Sequence, residues 1–116
     1  MNRALSLAAV AAATAALAAC GNNTTDHLKI SDQLINGKPG FSIATVTVTK
    51  GDKVDVRLDN PLPVAHGFSI DDFGIHRVAP LHASEEFTFR ATKVGQFRIY
   101  CQLHPAHQPA RLVVVD

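Results

Sequence analysis

Cys101 is followed at short spacing by His104 and His107 in the run Tyr100-Cys101-Gln102-Leu103-His104-Pro105-Ala106-His107. A thiolate is a soft, strong donor and imidazole a borderline one, so the combination suits copper or zinc. Pro105 and Pro109 restrict the loop, which can therefore hold its donors in place before a metal arrives. A fourth donor, His66, opens a separate segment behind the proline-containing stretch DNPLPVA (59–65). Three other chemistries fit less well. A Cys–His nucleophile wants an oriented third group and an oxyanion hole, and neither is visible. A structural zinc site usually draws closely paired ligands from two knuckles. A buried thiol with surface imidazoles leaves the clustering of histidines near one thiol unexplained.

These donors need strands to carry them. Residues 43–49 (IATVTVT) alternate, with Ala44, Val46 and Val48 on one face. Val54, Val56 and Leu58 alternate with Asp55 and Arg57 as a half-buried strand, and His66–Ile70 forms a short one. Residues 85–91 point Phe87 and Phe89 inward, 96–101 put Phe97, Ile99 and Cys101 on one face, and 110–116 form a last strand. Residues 28–35 are a candidate first strand, with turn chemistry at 36–40. Residues 71–84 read as irregular, broken by Gly74 and Pro80. About seven short strands with regularly spaced turns, and no helical stripe, predict an all-β sandwich. The donors then sit at strand ends that one pole of a sandwich can bring together.

Composition narrows the functional classes. The chain has 116 residues, 11 Lys plus Arg against 10 Asp plus Glu, and a formal net charge of +1, which argues against a nucleic-acid binder. Hydrophobic residues make up 47%, ordinary for one globular domain. The first residues, MNRALSLAAVAAATAALAAC, place Arg3 before an apolar run from Ala4 to Ala19, the pattern of a secretory signal. The run is short for a spanning helix, which needs about 20 residues. Its exit, Leu17-Ala18-Ala19-Cys20, resembles a bacterial lipobox, in which the cysteine is lipidated and becomes the new N-terminus. The expected organisation is therefore a lipoprotein signal peptide at 1–19, a lipidated tether and possible first strand at 20–35, and the metal domain at 36–116. Residues 21–27 (GNNTTDH) belong to the tether on this reading, His27 included. The mature chain then keeps Cys101 as its only thiol and loses Met1, its only methionine.

From Lys50-Gly51-Asp52 to the C-terminus the chain resembles the cupredoxins, and in particular the nitrosocyanins, the red mononuclear copper proteins. GFSIDDFG (67–74), the strand running into Cys101, CQLHP (101–105) and the later His-x-Pro carry the resemblance. It implies a Greek-key β-sandwich with one copper ion near one end. It also implies Cys101, His104 and His107 as ligands, with His66 as the fourth. Two features depart from the nitrosocyanin pattern. His66 stands where that group has a glutamate, and the ligand loop is about two residues shorter, closer in length to blue proteins whose loop ends in an axial methionine. His107 occupies that position, and a thioether bond is impossible in the mature chain. Four-fold ligation by His66, Cys101, His104 and His107 predicts a more tetragonal, lower-potential site than a blue one.

The implied role is one-electron transfer by an exported, lipid-anchored carrier on the periplasmic or outer face of a bacterial membrane. Its expected partner is a redox protein such as a cytochrome or a copper oxidase or reductase. A redox enzyme or nitric oxide-binding site acting on a small molecule, and a copper carrier, are the alternatives. His76 and His82 read as surface residues, Phe68, Phe73 and Tyr100 as core or shielding, and Asp71 and Asp72 as solvated turn residues. Gln102 and Gln108 are minor candidates for weak amide ligation.

Overall fold

The computed structural model describes residues 24–116; the expected signal sequence and Cys20 lie outside the described residues. Nine strands follow one another among them: β1 Thr25–Ile35, β2 Lys38–Phe41, β3 Thr45–Thr49, β4 Lys53–Asn60, β5 His66–Ile70, β6 Ile75–Ala79, β7 Ala83–Arg90, β8 Gly95–Ile99 and β9 Ala110–Val115. A single 3-10 turn, Asp71–Phe73, joins β5 to β6.

One sheet has the order β2-β1-β4-β7, with β1 and β4 parallel. The other has the order β3-β9-β8, with β3 and β9 parallel. The β5–β6 hairpin joins β8 through reciprocal backbone bonds between Ser69 and Tyr100, of 2.8 and 3.1 Å. Alternation decides which residues meet between the sheets. Val54, Val56 and Leu58 of β4 face Leu112 and Val114 of β9 across a core completed by Ile30, Phe68, Ile70 and Ile99. Phe87 and Phe89 pack against that core, as their phase predicts. The all-β sandwich expected from the sequence is the observed fold.

Four local expectations are corrected. The turn at 36–40 shrinks to Asn36-Gly37, whose φ values of 52° and 81° make the two-residue turn that matches strand twist. Pro39 and Gly40 then lie in β2, with Leu34 opposite Pro39; a proline is tolerated there because β2 is an edge strand. Residues 75–79 form β6 rather than an irregular stretch, since Gly74 at φ 65° closes the turn that returns the chain along β5. Ala44 is exposed just before β3, and Ile43 packs against the core instead. Finally, β1 starts within the stretch read as tether: His27 is a strand residue with Nδ1 3.3 Å from Asp55.

Candidate metal centre

Strand ends and one loop deliver the donors. β8 ends at Ile99, the Tyr100–Ser69 bridge continues its path, and Cys101 comes next, buried. His66 is the first residue of β5 and only 2% exposed. Buried Asn60, at the end of β4, fixes the loop that leads into it. Its Nδ2 donates toward the carbonyls of Val64 (2.8 Å), Ala79 (3.1 Å) and Pro80 (3.1 Å), and its Oδ1 accepts from the Leu62 N–H (3.0 Å). Asn60→Ala removes these bonds, of which the one to Ala79 is buried. Its expected cost is about 1–3 kcal/mol in chemical denaturation, with a weakened hold on His66.

The donor atoms of His66, Cys101 and His104 all lie within 4.8 Å of one another. Cys101 Sγ is 3.6 Å from His104 Nδ1 and accepts the Gly67 N–H at 3.1 Å, a bond that stabilises negative charge on sulfur. The ring centroids of His66 and His104 are 4.8 Å apart. His66 Nδ1 is buried and has no hydrogen-bond partner. A buried polar atom is normally satisfied, and a ring nitrogen with its lone pair free among other donors is what a metal ligand needs. The sulfur and two imidazoles therefore fit a copper ion by chemistry and by placement.

The other face of β5 is packed to support this. A Cβ at Gly67 would displace the Gln102 amide, which packs against it. Gln102 is engaged by the Ser69 hydroxyl, which donates to it at 2.7 Å, and donates in turn to the Arg77 carbonyl at 3.1 Å. It is thus a brace between β5, β6 and the ligand loop. His76 lies against Ser69 (3.2 Å), exposed, and His82 is turned to the Pro61 carbonyl (3.0 Å). Tyr100 donates to Asp71 at 2.6 Å.

His107 is brought to the same pole but into a different grouping. Its donor atom lies within 4.8 Å of those of His66 and Asp32. The ring nitrogen Nε2 is hydrogen-bonded to Asp32 Oδ1 at 2.9 Å, with both side chains 0% exposed. Nδ1 lies 3.1 Å from the Gln108 carbonyl oxygen, and the ring centroid lies 4.3 Å from that of Phe41. Sequence reasoning passed over Asp32. The available signal was its phase: Leu28, Ile30 and Asp32 share the inward face of β1, so an acid occupies a core position.

A sequence model of the cupredoxin-like domain matches residues 4–114. The chain belongs to the cupredoxin-like domain family. Among solved structures, this cupredoxin is similar to a copper nitrite reductase from Nitrosomonas europaea, at 17% identity and a TM-score of 0.70, over 79% of this chain and 42% of that one. It is also similar to a Cu-containing nitrite reductase from Thermus scotoductus, at 19% identity and a TM-score of 0.65, over 79% and 28%. A multicopper oxidase, mgLAC, matches at 15% identity with a TM-score of 0.63, over 79% and 39%. At these identities the likeness is one of fold, and the chain spans less than half the length of each.

Burial also tunes His66. Desolvation is the main influence and moves its pKa below the ordinary histidine value; the charges of His107 and His104 act in the same direction, and Asp32 opposes them. The neutral ring that a metal needs is thereby favoured. The unfolded chain takes up this proton first as pH falls, so the metal-free protein should lose stability below about pH 6.5. Melting temperatures followed from pH 8 to pH 5.5 should show this fall, and His66→Gln should flatten it.

Proposed function

We propose that this chain is an exported, lipid-anchored copper protein whose work is one-electron transfer at a centre made by His66, Cys101 and His104. The observation that carries the reading is the convergence of one thiolate and two imidazoles at the pole of a cupredoxin sandwich, with His66 Nδ1 buried and unpartnered. Two copper nitrite reductases and a multicopper oxidase of like fold support copper as the metal. Bound copper supplies a one-electron couple between its cuprous and cupric states. The protein's own part is to hold the donors still. The β5–β8 bridge, the Asn60 network and the Gln102 brace fix them, which limits rearrangement between oxidation states. His104 is half-buried beside exposed Leu103, so an imidazole edge and an apolar contact lie close to the surface for a redox partner such as a cytochrome.

Within the family, the stretch from Lys50 onward favours a nitrosocyanin-like copper type. One observation favours a second use, a copper site that takes a small ligand such as nitric oxide: His107, the expected fourth donor, is engaged by Asp32. The signal at 1–19 and Cys20 support anchoring by lipid on the exported face of a bacterial membrane. Metabolic labelling with a fatty acid should mark the protein, and Cys20→Ser should abolish the label.

The deciding experiment loads the purified apoprotein with copper. Uptake of one equivalent, an intense thiolate-to-copper absorption band and fast electron exchange with a cytochrome in stopped flow support the carrier. Copper that binds but exchanges readily without electron exchange points to a copper carrier. Absence of uptake under reducing conditions defeats the reading.

A further inference from the structure

Imidazole ligates a metal through a ring nitrogen with a free lone pair. Both nitrogens of His107 are already engaged by the protein. Nδ1 lies 3.1 Å from the Gln108 carbonyl and Nε2 2.9 Å from Asp32 Oδ1. The β1–β2 hairpin grips this arrangement from both sides. Asp32 is the cross-strand partner of Phe41, whose ring lies on His107, and Gln108 is tied to the same hairpin by its N–H to the Pro39 carbonyl at 2.8 Å. His107 nevertheless remains next to the centre, with its ring centroid 5.2 Å from that of His66. A potential fourth donor is therefore present, adjacent and restrained. The restraint is a fully buried carboxylate whose second oxygen, Oδ2, has no partner.

We propose that Asp32 is a positioning residue that holds His107 off the metal, so that His66, Cys101 and His104 define the centre, and that loss of the Asp32 carboxylate makes His107 a fourth donor. The proposal rests on the copper reading of the site. It accounts for an acid at a core position of β1, which packing alone disfavours. A stronger fourth donor shifts a copper–thiolate centre toward tetragonal geometry, so Asp32 sets the electronic character of the site without touching the metal.

The test compares cupric spectra of the full chain carrying Asp32, Asp32→Asn, Asp32→Ala, and Asp32→Ala combined with His107→Phe. An asparagine amide can pair with His107 Nε2 in either tautomer, through its oxygen or its N–H, so Asp32→Asn should keep the wild-type absorption and paramagnetic resonance spectra. Asp32→Ala should move thiolate-to-copper intensity to shorter wavelength and enlarge the copper hyperfine splitting. The double variant should restore the wild-type pattern, because Phe has no donor atom. An unchanged spectrum in Asp32→Ala, or a shift that survives in the double variant, overturns the proposal. Should the alanine variants not fold, nitrogen-15 NMR of the wild-type protein decides. Unchanged His107 ring-nitrogen shifts on loading with cuprous ion support the restraint; a metal-coordinated nitrogen shift overturns it. Failure of the wild-type protein to take up copper is a separate result, which defeats the copper reading and this proposal with it.

Discussion

His107→Phe should destabilise the metal-free protein by about 1–3 kcal/mol, the penalty for leaving a buried polar group without its hydrogen-bond partner. Asp32 and His107 are both fully inaccessible, and their single bond of 2.9 Å is the only partner shown for either Asp32 side-chain oxygen. Phe preserves the ring that packs on Phe41, so lost volume is a minor part of the effect. What remains is a carboxylate stranded in the core between β1 and the ligand loop. The second substitution isolates that cause. Adding Asp32→Val removes the stranded group and supplies a β-branched side chain suited to a strand, so the double variant should recover to within about 1 kcal/mol of wild type. Urea denaturation of the three proteins measures the difference. A single-variant loss below about 1 kcal/mol would show that the Asp32 carboxylate finds another partner or water.

The largest effect on metal binding is expected from Cys101→Ser. A hydroxyl is neither soft nor ionised at neutral pH, so the thiolate-to-copper absorption should vanish entirely. Copper affinity should fall by more than the roughly 10–100-fold that loss of a supporting partner costs a metal site. The fold should survive, because the sulfur is near-isosteric with oxygen and its one backbone bond, from Gly67, can pass to the serine oxygen. Competitive titration against a copper chelator checks the affinity. A variant that keeps wild-type affinity would remove Cys101 from the centre and send the search to the Asp32, His66 and His107 group.

Much of the fold was readable because alternation at period two leaves little choice of which side is buried. Val54, Val56 and Leu58 identified β4 and its inner face, and the run 110–116 was readable as the last strand, β9. The missed strands are edge elements. β2 is four residues long and contains a proline, and β6 shows solvent His76, Arg77 and Val78 between two buried ends, so neither has a hydrophobic rhythm to read. Their pairing comes from the neighbouring strand and the turn, Asn36-Gly37 for one and Gly74 for the other.

The site divides along the same line. Cys101 and His104 sit three apart on a proline-restricted loop, and a local motif of that kind fixes both the donor chemistry and the approximate spacing before any fold forms. Sequence alone therefore pointed to the type of chemistry, the strand that runs into the sulfur, and His66 as a candidate donor arriving from elsewhere. It could not decide the direction of the His107 ring. That depends on Asp32, separated from it by 75 residues and brought to 2.9 Å only by the β1–β2 hairpin folding against the ligand loop. A hydrogen bond between distant segments leaves no periodic trace in the chain, and desolvation, which makes the bond matter, exists only once the two sheets have closed over it.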